Sequence, residues 1–152
     1  MSRIIPAGPD GPGALEAGCA KYIESALTAA YQSLQGAYRA GLVALESRAM
    51  AGEQKSFATL GIGEQDKILS DFEKNVAVGD YTASGAFFEM VRRHTFEGMF
   101  GDPSYGGNAN FAGWELIGYP GPRMRVPPEM QNMDAKIPRS RLTVEKLTHG
   151  SH

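Results

Sequence analysis

Two side chains that could do chemistry together, His94 and Glu97, stand three residues apart. On a helix this spacing puts both on one face, as in carboxylate-bridged di-iron bundles. Such a site needs a second pair of this kind and two further carboxylates, and the other histidines, His149 and His152, stand in the last four residues. The pattern therefore favours a structural role for His94, at the base of the following loop and hydrogen-bonded to a backbone carbonyl or to Asp102.

Other motifs that carry chemistry are also incomplete. Gly11 and Gly13 resemble a phosphate-binding turn, but no strand precedes them and no P-loop lysine follows. Cys19 is the only cysteine, which excludes an internal disulfide and favours a small buried hydrophobe. Asp102 and Asn108 offer too few oxygens for a calcium loop and are interpreted as turn residues. We therefore predict no catalytic, cofactor-binding or metal residue, while a triad assembled from distant parts of the chain stays open.

Length and charge narrow the class of protein. The 152 residues, 16.3 kDa, suffice for one domain with its own core. A net charge of -2 and a pI near 5.9 argue against a nucleic-acid partner. No apolar run approaches the roughly 20 residues of a membrane span, and the first residues lack the apolar core of an export signal.

Apolar residues recur at three- and four-residue steps through the first half of the chain. This period predicts a first helix from about residue 14 to residue 34, whose apolar stripe includes Tyr22 and Tyr31. Gly36 is expected to interrupt it. A second helix is predicted to follow and to run to about residue 51, with Tyr38 in its stripe.

The same period continues in the second half of the chain. A third helix is predicted to begin after Gly63 and to fade near Val78. Thr82 or Ser84 is expected to cap a fourth helix, whose stripe runs to Met99. No alternating pattern of the kind that strands show survives four positions. The predicted fold class is all-α, a small helical domain of about four main helices over residues 1–121.

A segment rich in glycine and aromatic residues follows the fourth stripe, and we call residues 94–121, HTFEGMFGDPSYGGNANFAGWELIGYPG, the glycine–aromatic segment. Its glycines and prolines can fix one irregular shape, and its rings can bury large apolar areas at a contact surface. The segment is therefore predicted to be a structured surface for a partner. The alternative, that the rings only cover the protein's own helices, stays open.

The composition changes again after residue 121. Residues 122–152 contain four prolines and more basic than acidic side chains, so this tail cannot build a core. It is either disordered or extended along another surface. Its candidate anchors are Met124, Val126, Met130, Met133, Ile137, Leu142, Val144 and Leu147.

Three blocks of the sequence resemble one known family. They are IIPAGPDGPGALEAGCAKYIE, YRAGLVALE with the following Phe57 and Leu60, and the whole glycine–aromatic segment. Together they resemble the gluconate 2-dehydrogenase subunit 3 family, the small subunits of bacterial membrane-associated flavin dehydrogenases that oxidise sugars and sugar acids. The resemblance implies a small helical protein without chemistry of its own, bound to a large catalytic subunit of the glucose-methanol-choline type. It implies that FAD and substrate sit in that subunit and that a haem c subunit or another carrier accepts the electrons.

The resemblance and the residues lead to one hypothesis, that the glycine–aromatic segment and the tail dock on the FAD subunit of a gluconate 2-dehydrogenase or glycoside 3-dehydrogenase complex and stabilise it. The anchors are expected to be Phe100, Tyr105, Trp114 and Tyr119. The full predicted interface is His94, Phe100, Asp102, Pro103, Tyr105, Gly106, Gly107, Asn108, Trp114, Tyr119, Pro120 and Gly121.

Two other functions stay open at this stage. One is a transient assembly or export chaperone for the same flavoprotein. The other, ranked last, is an independent metal-dependent enzyme that uses His94, Glu97 and Asp102. The resemblance also implies a periplasmic location, although the family's export signal is not seen in this sequence, which leaves the cytoplasm as the alternative.

Overall fold

The computed structural model describes residues 1–123, 125–132 and 134–149. The α-helices are α1 (Cys19–Thr28), α2 (Gln35–Glu53), α3 (Ile62–Glu73), α4 (Ser84–Phe100), α5 (Ala112–Leu116) and α6 (Val144–His149). Short 3-10 turns lie at Gln32–Leu34, Phe57–Thr59, Pro103–Tyr105, Ala109–Phe111 and Pro128–Met130. The all-α prediction is confirmed, since the described part of the chain contains no strand and only two isolated bridges.

Helix α4 is the central element, because α1, α2, α3 and α5 all pack against it. The larger hydrophobic core of the protein lies between α4 and the helices α1, α2 and α3. It is built around Ile23, Phe72 and Phe87. A second core of small residues, with Met99 at its centre, joins the end of α4 to the chain before and at the start of α1. The glycine–aromatic segment therefore starts on the element that is most firmly packed.

The prediction of one helix over residues 14–34 is wrong at both ends. Gly18 has a φ of 72° just before α1, and Ala29 leaves the helical region with φ -130° and ψ -105° just after it. The expected interruption at Gly36 is wrong too, because Gly36 lies inside α2. Helix propensity is a weak preference, and tertiary contacts override it here: the turn after α1 brings Tyr31 against α4.

The junction between α3 and α4 also differs from the prediction. Helix α3 ends at Glu73 instead of fading near Val78, and Asn75 takes a φ of 58°. Ser84 is the first residue of α4 and donates to the Val76 carbonyl at 2.8 Å, so it is not the cap. Asn75 Oδ1 instead accepts from the Gly85 N–H at 2.8 Å and supplies the cap from outside the helix.

Part of the tail lies along the chain's own surface. Residues 139–144 run beside the glycine–aromatic segment and lead into α6. Met124, Met133 and residues 150–152, which belong to the predicted tail, lie outside the described residues. None of the helices within the described ranges combines the length and the apolar character needed to cross a bilayer.

Candidate functional site

Asn108 holds the glycine–aromatic segment in shape. It is fully buried and takes a φ of 46°. Its N–H donates to the Gly98 carbonyl at 2.6 Å, its Nδ2 donates to the Gly101 carbonyl at 2.8 Å, and its Oδ1 accepts from the Gly113 N–H at 2.8 Å. One buried side chain thus joins the end of α4 to the start of α5 and satisfies two backbone groups, the Gly101 carbonyl and the Gly113 N–H.

Two glycines of the segment touch the backbone of α4. A Cβ on Gly107 would lie 2.2 Å from the Gly98 carbonyl oxygen, and one on Gly113 would lie 1.9 Å from the Met99 carbonyl oxygen. Carbon and oxygen atoms do not approach so closely, so only glycine fits at these two positions. The segment is therefore fixed by backbone contact with α4, which agrees with the predicted structured surface.

Asp102 stabilises the turn that follows α4, which agrees with its prediction as a turn residue. Its Oδ1 accepts from the Ser104 N–H at 2.9 Å and from the Ser104 hydroxyl at 2.7 Å, which caps the 3-10 turn Pro103–Tyr105. Its Oδ2 accepts from the Val144 N–H at 2.8 Å, which ties the segment to the tail.

The predicted aromatic anchors divide into buried and exposed rings. Trp114 is 5 % exposed and donates from Nε1 to the Phe100 carbonyl at 2.8 Å. Tyr119 packs edge-on against Trp114 at 4.9 Å between centroids and remains 40 % exposed. Tyr105 is 62 % exposed, the most open ring of the segment. Trp114 thus supports the protein's own fold, while Tyr105 and Tyr119 offer area to another molecule.

The remaining predicted interface residues follow the same division. Gly107 and Gly121 are buried in the chain, while Pro103, Gly106 and Pro120 are half-buried. Tyr105 and Gly106 line a groove of about 690 Å³ together with Lys21, Ser25 and Tyr31. This groove lies between α1 and the glycine–aromatic segment and is bordered by an exposed tyrosine.

His94 lies on the other side of α4, away from its predicted partners. It is fully buried, and its Nδ1 is 2.8 Å from the Tyr38 hydroxyl. Its ring stacks on Tyr31 with centroids 4.4 Å apart and an interplanar angle of 6°. The expected partner, a backbone carbonyl or Asp102, is therefore wrong. The reason is that the helical turn of α4 points His94 at α2 and the residue 29–31 turn.

The tautomer of His94 follows from its neighbours. An Arg93 nitrogen lies 3.3 Å from Nε2, and a guanidinium group only donates hydrogen bonds. Nε2 is then the acceptor, so neutral His94 carries its proton on Nδ1 and donates to the Tyr38 oxygen. Burial is the main cause that lowers the pKa of His94; the charge of Glu97 opposes this, and the charge of Arg93 adds to it.

Glu97 is bound by tyrosines. Its Oε2 accepts from the Tyr22 hydroxyl at 3.0 Å and from the Tyr31 hydroxyl at 3.1 Å. Burial and this carboxylate raise the pKa of Tyr22 and of Tyr31, and burial raises the pKa of Tyr38 to about 12. All three hydroxyls stay protonated at neutral pH, so Tyr22 and Tyr31 donate to Glu97, while the Tyr38 oxygen accepts from His94. We call Tyr22, Tyr31, Tyr38, Arg93, His94 and Glu97 the tyrosine cluster.

The tyrosine cluster explains the three-residue spacing without a metal. The hydrogen bond of His94 is to Tyr38 and those of Glu97 are to Tyr22 and Tyr31, and nowhere in the described residues do three His, Cys, Asp or Glu side chains converge as ligands would. The apolar stripes predicted from the sequence include all three tyrosines, but their spacing does not indicate the hydroxyl contacts. The signal that could have found these contacts was the presence of three tyrosines in predicted helix stripes of a chain that also carries the ionisable pair His94 and Glu97.

Cys19 behaves as its sequence context predicts. It is fully buried beside Ala17 and Met99, and burial raises the pKa of its thiol to about 11. The thiolate, which is the reactive form, is therefore suppressed at neutral pH. This residue fills the small core beneath the glycine–aromatic segment.

Comparison with known proteins gives one result. No curated protein and no solved structure matches the chain. The family model described as gluconate 2-dehydrogenase subunit 3 matches residues 1–121, which include both the tyrosine cluster and the entire glycine–aromatic segment. The chain therefore belongs to the gluconate 2-dehydrogenase subunit 3 family.

Proposed function

We propose that this chain is the non-catalytic small subunit of an FAD-dependent sugar or sugar-acid dehydrogenase and that it binds and stabilises the large catalytic subunit. In this assignment FAD, substrate and redox chemistry belong to the large subunit, and a haem c subunit or another carrier accepts the electrons. Gluconate 2-oxidation and glycoside 3-oxidation are both compatible with it. Periplasmic location forms part of the same proposal and is tested by cell fractionation.

The observation that carries the proposal is the family match over residues 1–121. Membership supports the assignment to a dehydrogenase complex, so a catalytic companion is expected. The glycine–aromatic segment lies wholly inside the matched region, and its shape is set by Asn108 and by glycine contacts with α4. A surface that is already ordered loses little conformational entropy when it binds, which favours its use as a contact site.

Exposed apolar side chains on this segment give the surface something to bury. Tyr105 is 62 % exposed, Ile117 is 58 % exposed, and Tyr119, which follows Ile117 closely in the chain, is 40 % exposed. Rigid tyrosines are frequent anchors of protein interfaces because two torsions fix a large area. A permanent subunit contact buries on the order of 2,000 Å² or more, which requires additional surface such as the groove beside Tyr105.

Trp114 has a different role in this proposal from the one the sequence suggested. Because it is buried in its own chain, replacing it changes the fold of the segment as well as any contact with a partner. Tyr105 is the sharper probe, since its ring is mostly in solvent and its loss leaves little unfilled space.

The test compares Tyr105→Ala with Val43→Ala, a control on α2 that is 67 % exposed and lies outside the segment. We expect Tyr105→Ala to weaken binding to the co-expressed FAD subunit about tenfold or more, a hot-spot effect, with the urea midpoint unchanged. Val43→Ala should leave both unchanged. If Tyr105→Ala and Tyr119→Ala both bound the FAD subunit as strongly as the wild type, docking through this segment would be contradicted.

Subunit stoichiometry distinguishes a permanent subunit from a transient chaperone. A permanent subunit is present in a fixed ratio in the purified active dehydrogenase. A chain that binds only the immature flavoprotein and is missing from the active enzyme would instead be a chaperone. Turnover of a sugar by the isolated chain would reject both assignments.

A further inference from the structure

The C-terminal residues 139–144, which we call the strap, lie on the glycine–aromatic segment, to which two of their backbone N–H groups donate hydrogen bonds. The Ser140 N–H donates to the Pro120 carbonyl at 2.7 Å, and the Val144 N–H donates to Asp102 Oδ2 at 2.8 Å. These two bonds hold both ends of the strap. The strap lies outside residues 1–121, the part of the chain that matches the family.

Two arginine side chains also attach the first half of the strap to the glycine–aromatic segment. Arg139 forms an ion pair with Glu115, and Arg141 reaches the other oxygen of the same carboxylate at 3.4 Å. Glu115 follows Trp114 in α5. The strap therefore contacts Asp102, Pro120 and Gly121, which all belong to the predicted partner interface, and lies over the acidic group between them.

The strap is docked weakly. Its arginines are 50 % and 70 % exposed, and exposed ion pairs contribute little stability and weaken with salt. Leu142 and Val144 remain 43 % exposed, so only Thr143 is well buried. Arg123 Nε and Ser140 Oγ are buried without hydrogen-bond partners, which opposes docking. A segment held in this way opens readily and is easily replaced.

We propose that the strap is a self-docked cover over the face formed by Asp102, Glu115 and Pro120, and that the partner binds this face by displacing it. The inference rests on the proposed function. Displacement frees two carboxylates, Asp102 and Glu115, and the Pro120 carbonyl. The partner surface must then supply hydrogen-bond donors to them, so it presents backbone N–H groups or arginine and lysine side chains.

Gly121 offers a steric way to release the strap. Its φ is +90°, and a Cβ there would lie 2.4 Å from the Ser140 carbonyl oxygen. Gly118 is the matched control, with a φ of +68° and Arg139 Nη2 as the nearest atom at 3.9 Å. Gly121→Ala and Gly118→Ala therefore impose the same kind of backbone strain, but only Gly121→Ala strikes the strap.

The first measurement is amide hydrogen exchange in the free full-length chain. We expect exchange at Ser140 and Val144 to be at least tenfold faster in Gly121→Ala than in Gly118→Ala or the wild type. Faster exchange at the Gly113 N–H would reveal damage to the segment itself. In that case the double variant Arg139→Gln and Arg141→Gln, which leaves the segment's backbone untouched, decides. Wild-type protection of Ser140 and Val144 in that double variant and in Gly121→Ala would overturn strap docking.

The second measurement is the association rate with the FAD subunit at low salt. The double arginine variant should associate about tenfold faster than the wild type, because fewer molecules are covered. If the strap is released but the association rate does not change, the proposal that the strap covers the partner-binding face is overturned. Slower association would also overturn it and would assign the arginines to the partner contact. A wild-type chain that binds no FAD subunit would overturn the proposed function and displacement with it, while exchange in the free chain still reports docking.

Discussion

The two sides of α4 are built on different principles. Toward residues 107–114, the carbonyl of Gly98 accepts from the Asn108 N–H, the carbonyl of Met99 lies against Gly113, and the carbonyl of Phe100 accepts from the Trp114 indole N–H. Toward α1 and α2, His94 and Glu97 are held by tyrosine hydroxyls. The first side depends on glycines, whose lack of a side chain lets two backbones approach closely. The second side depends on hydrogen bonds between side chains and on their protonation states. The difference predicts which changes each side tolerates.

The largest effect is expected where backbones touch. Gly113→Ala places a Cβ 1.9 Å from the Met99 carbonyl oxygen, so α4 and α5 must separate. We expect the free energy of unfolding to fall by about 3 kcal/mol or more in urea denaturation. Gly63→Ala, in α3 with open space around it, is the control and should be neutral or slightly stabilising. Equal stability of both variants would show that the contact with α4 does not fix the segment.

A smaller effect is expected for the side chain that ties the segment to α4. Asn108→Ala removes two hydrogen bonds, leaves the Gly113 N–H buried without its acceptor, and puts alanine at a φ of 46°. Together these should cost about 2 kcal/mol in urea denaturation.

Asn110→Ala controls for the backbone term of that change, because Asn110 is exposed and has a φ of 56°. It should cost less than Asn108→Ala. Similar losses for the two variants would mean that backbone strain, and not the amide contacts of Asn108, accounts for the effect.

The tyrosine cluster should respond to pH, with the smallest effect of the three. The pKa of His94 is lowered in the folded chain by burial, so the unfolded chain takes up the proton first as the pH falls. The stabilising contribution is fully present above the unfolded pKa of 6.5 and is lost as the pH falls from there through the folded pKa. Tyr31, Tyr38, Arg93 and Glu97 surround the ring, and a protonated His94 would place a second cation beside Arg93.

The measurement is the urea midpoint at pH 7.5 and pH 5.5 for the wild type and for His94→Gln. The wild type should lose more stability between the two values, because its other titratable groups are shared with the variant. Equal losses would contradict neutral His94 as the buried form and would leave the pH response to other residues.

The sequence predicted the fold well where one helix face carried the signal. The apolar stripe through Phe87 and Met99 correctly located α4, and the glycines and prolines after it correctly indicated an irregular segment. The break at residues 29–31 was not foreseen, because the local preference there is helical and the turn is imposed by stacking of Tyr31 on His94. Asn75 as the outside cap of α4 was missed for a similar reason, since its partner Gly85 is ten residues away.

Candidate contacts were harder to assign than elements. The sequence identified Trp114 and Tyr105 as equivalent anchors, since both are aromatic residues in one loop-forming segment. Exposure separates them: Trp114 is buried and bonded to the Phe100 carbonyl, while Tyr105 faces solvent. Burial depends on what packs above each ring, which a linear pattern does not contain. Their use as partner contacts stays a prediction.

By itself the sequence determined that this is a helical protein of the gluconate 2-dehydrogenase subunit 3 family with a segment fixed by glycine and aromatic residues, because periodicity and composition are local properties of the chain. Only the tertiary structure decided that His94 pairs with Tyr38, that Asn108 joins α4 to α5, and that the strap returns to Glu115. These contacts join residues that are distant along the chain or depend on how its backbone turns. These contacts therefore depend on packing in three dimensions, and the spacing of residues along the sequence does not predict them.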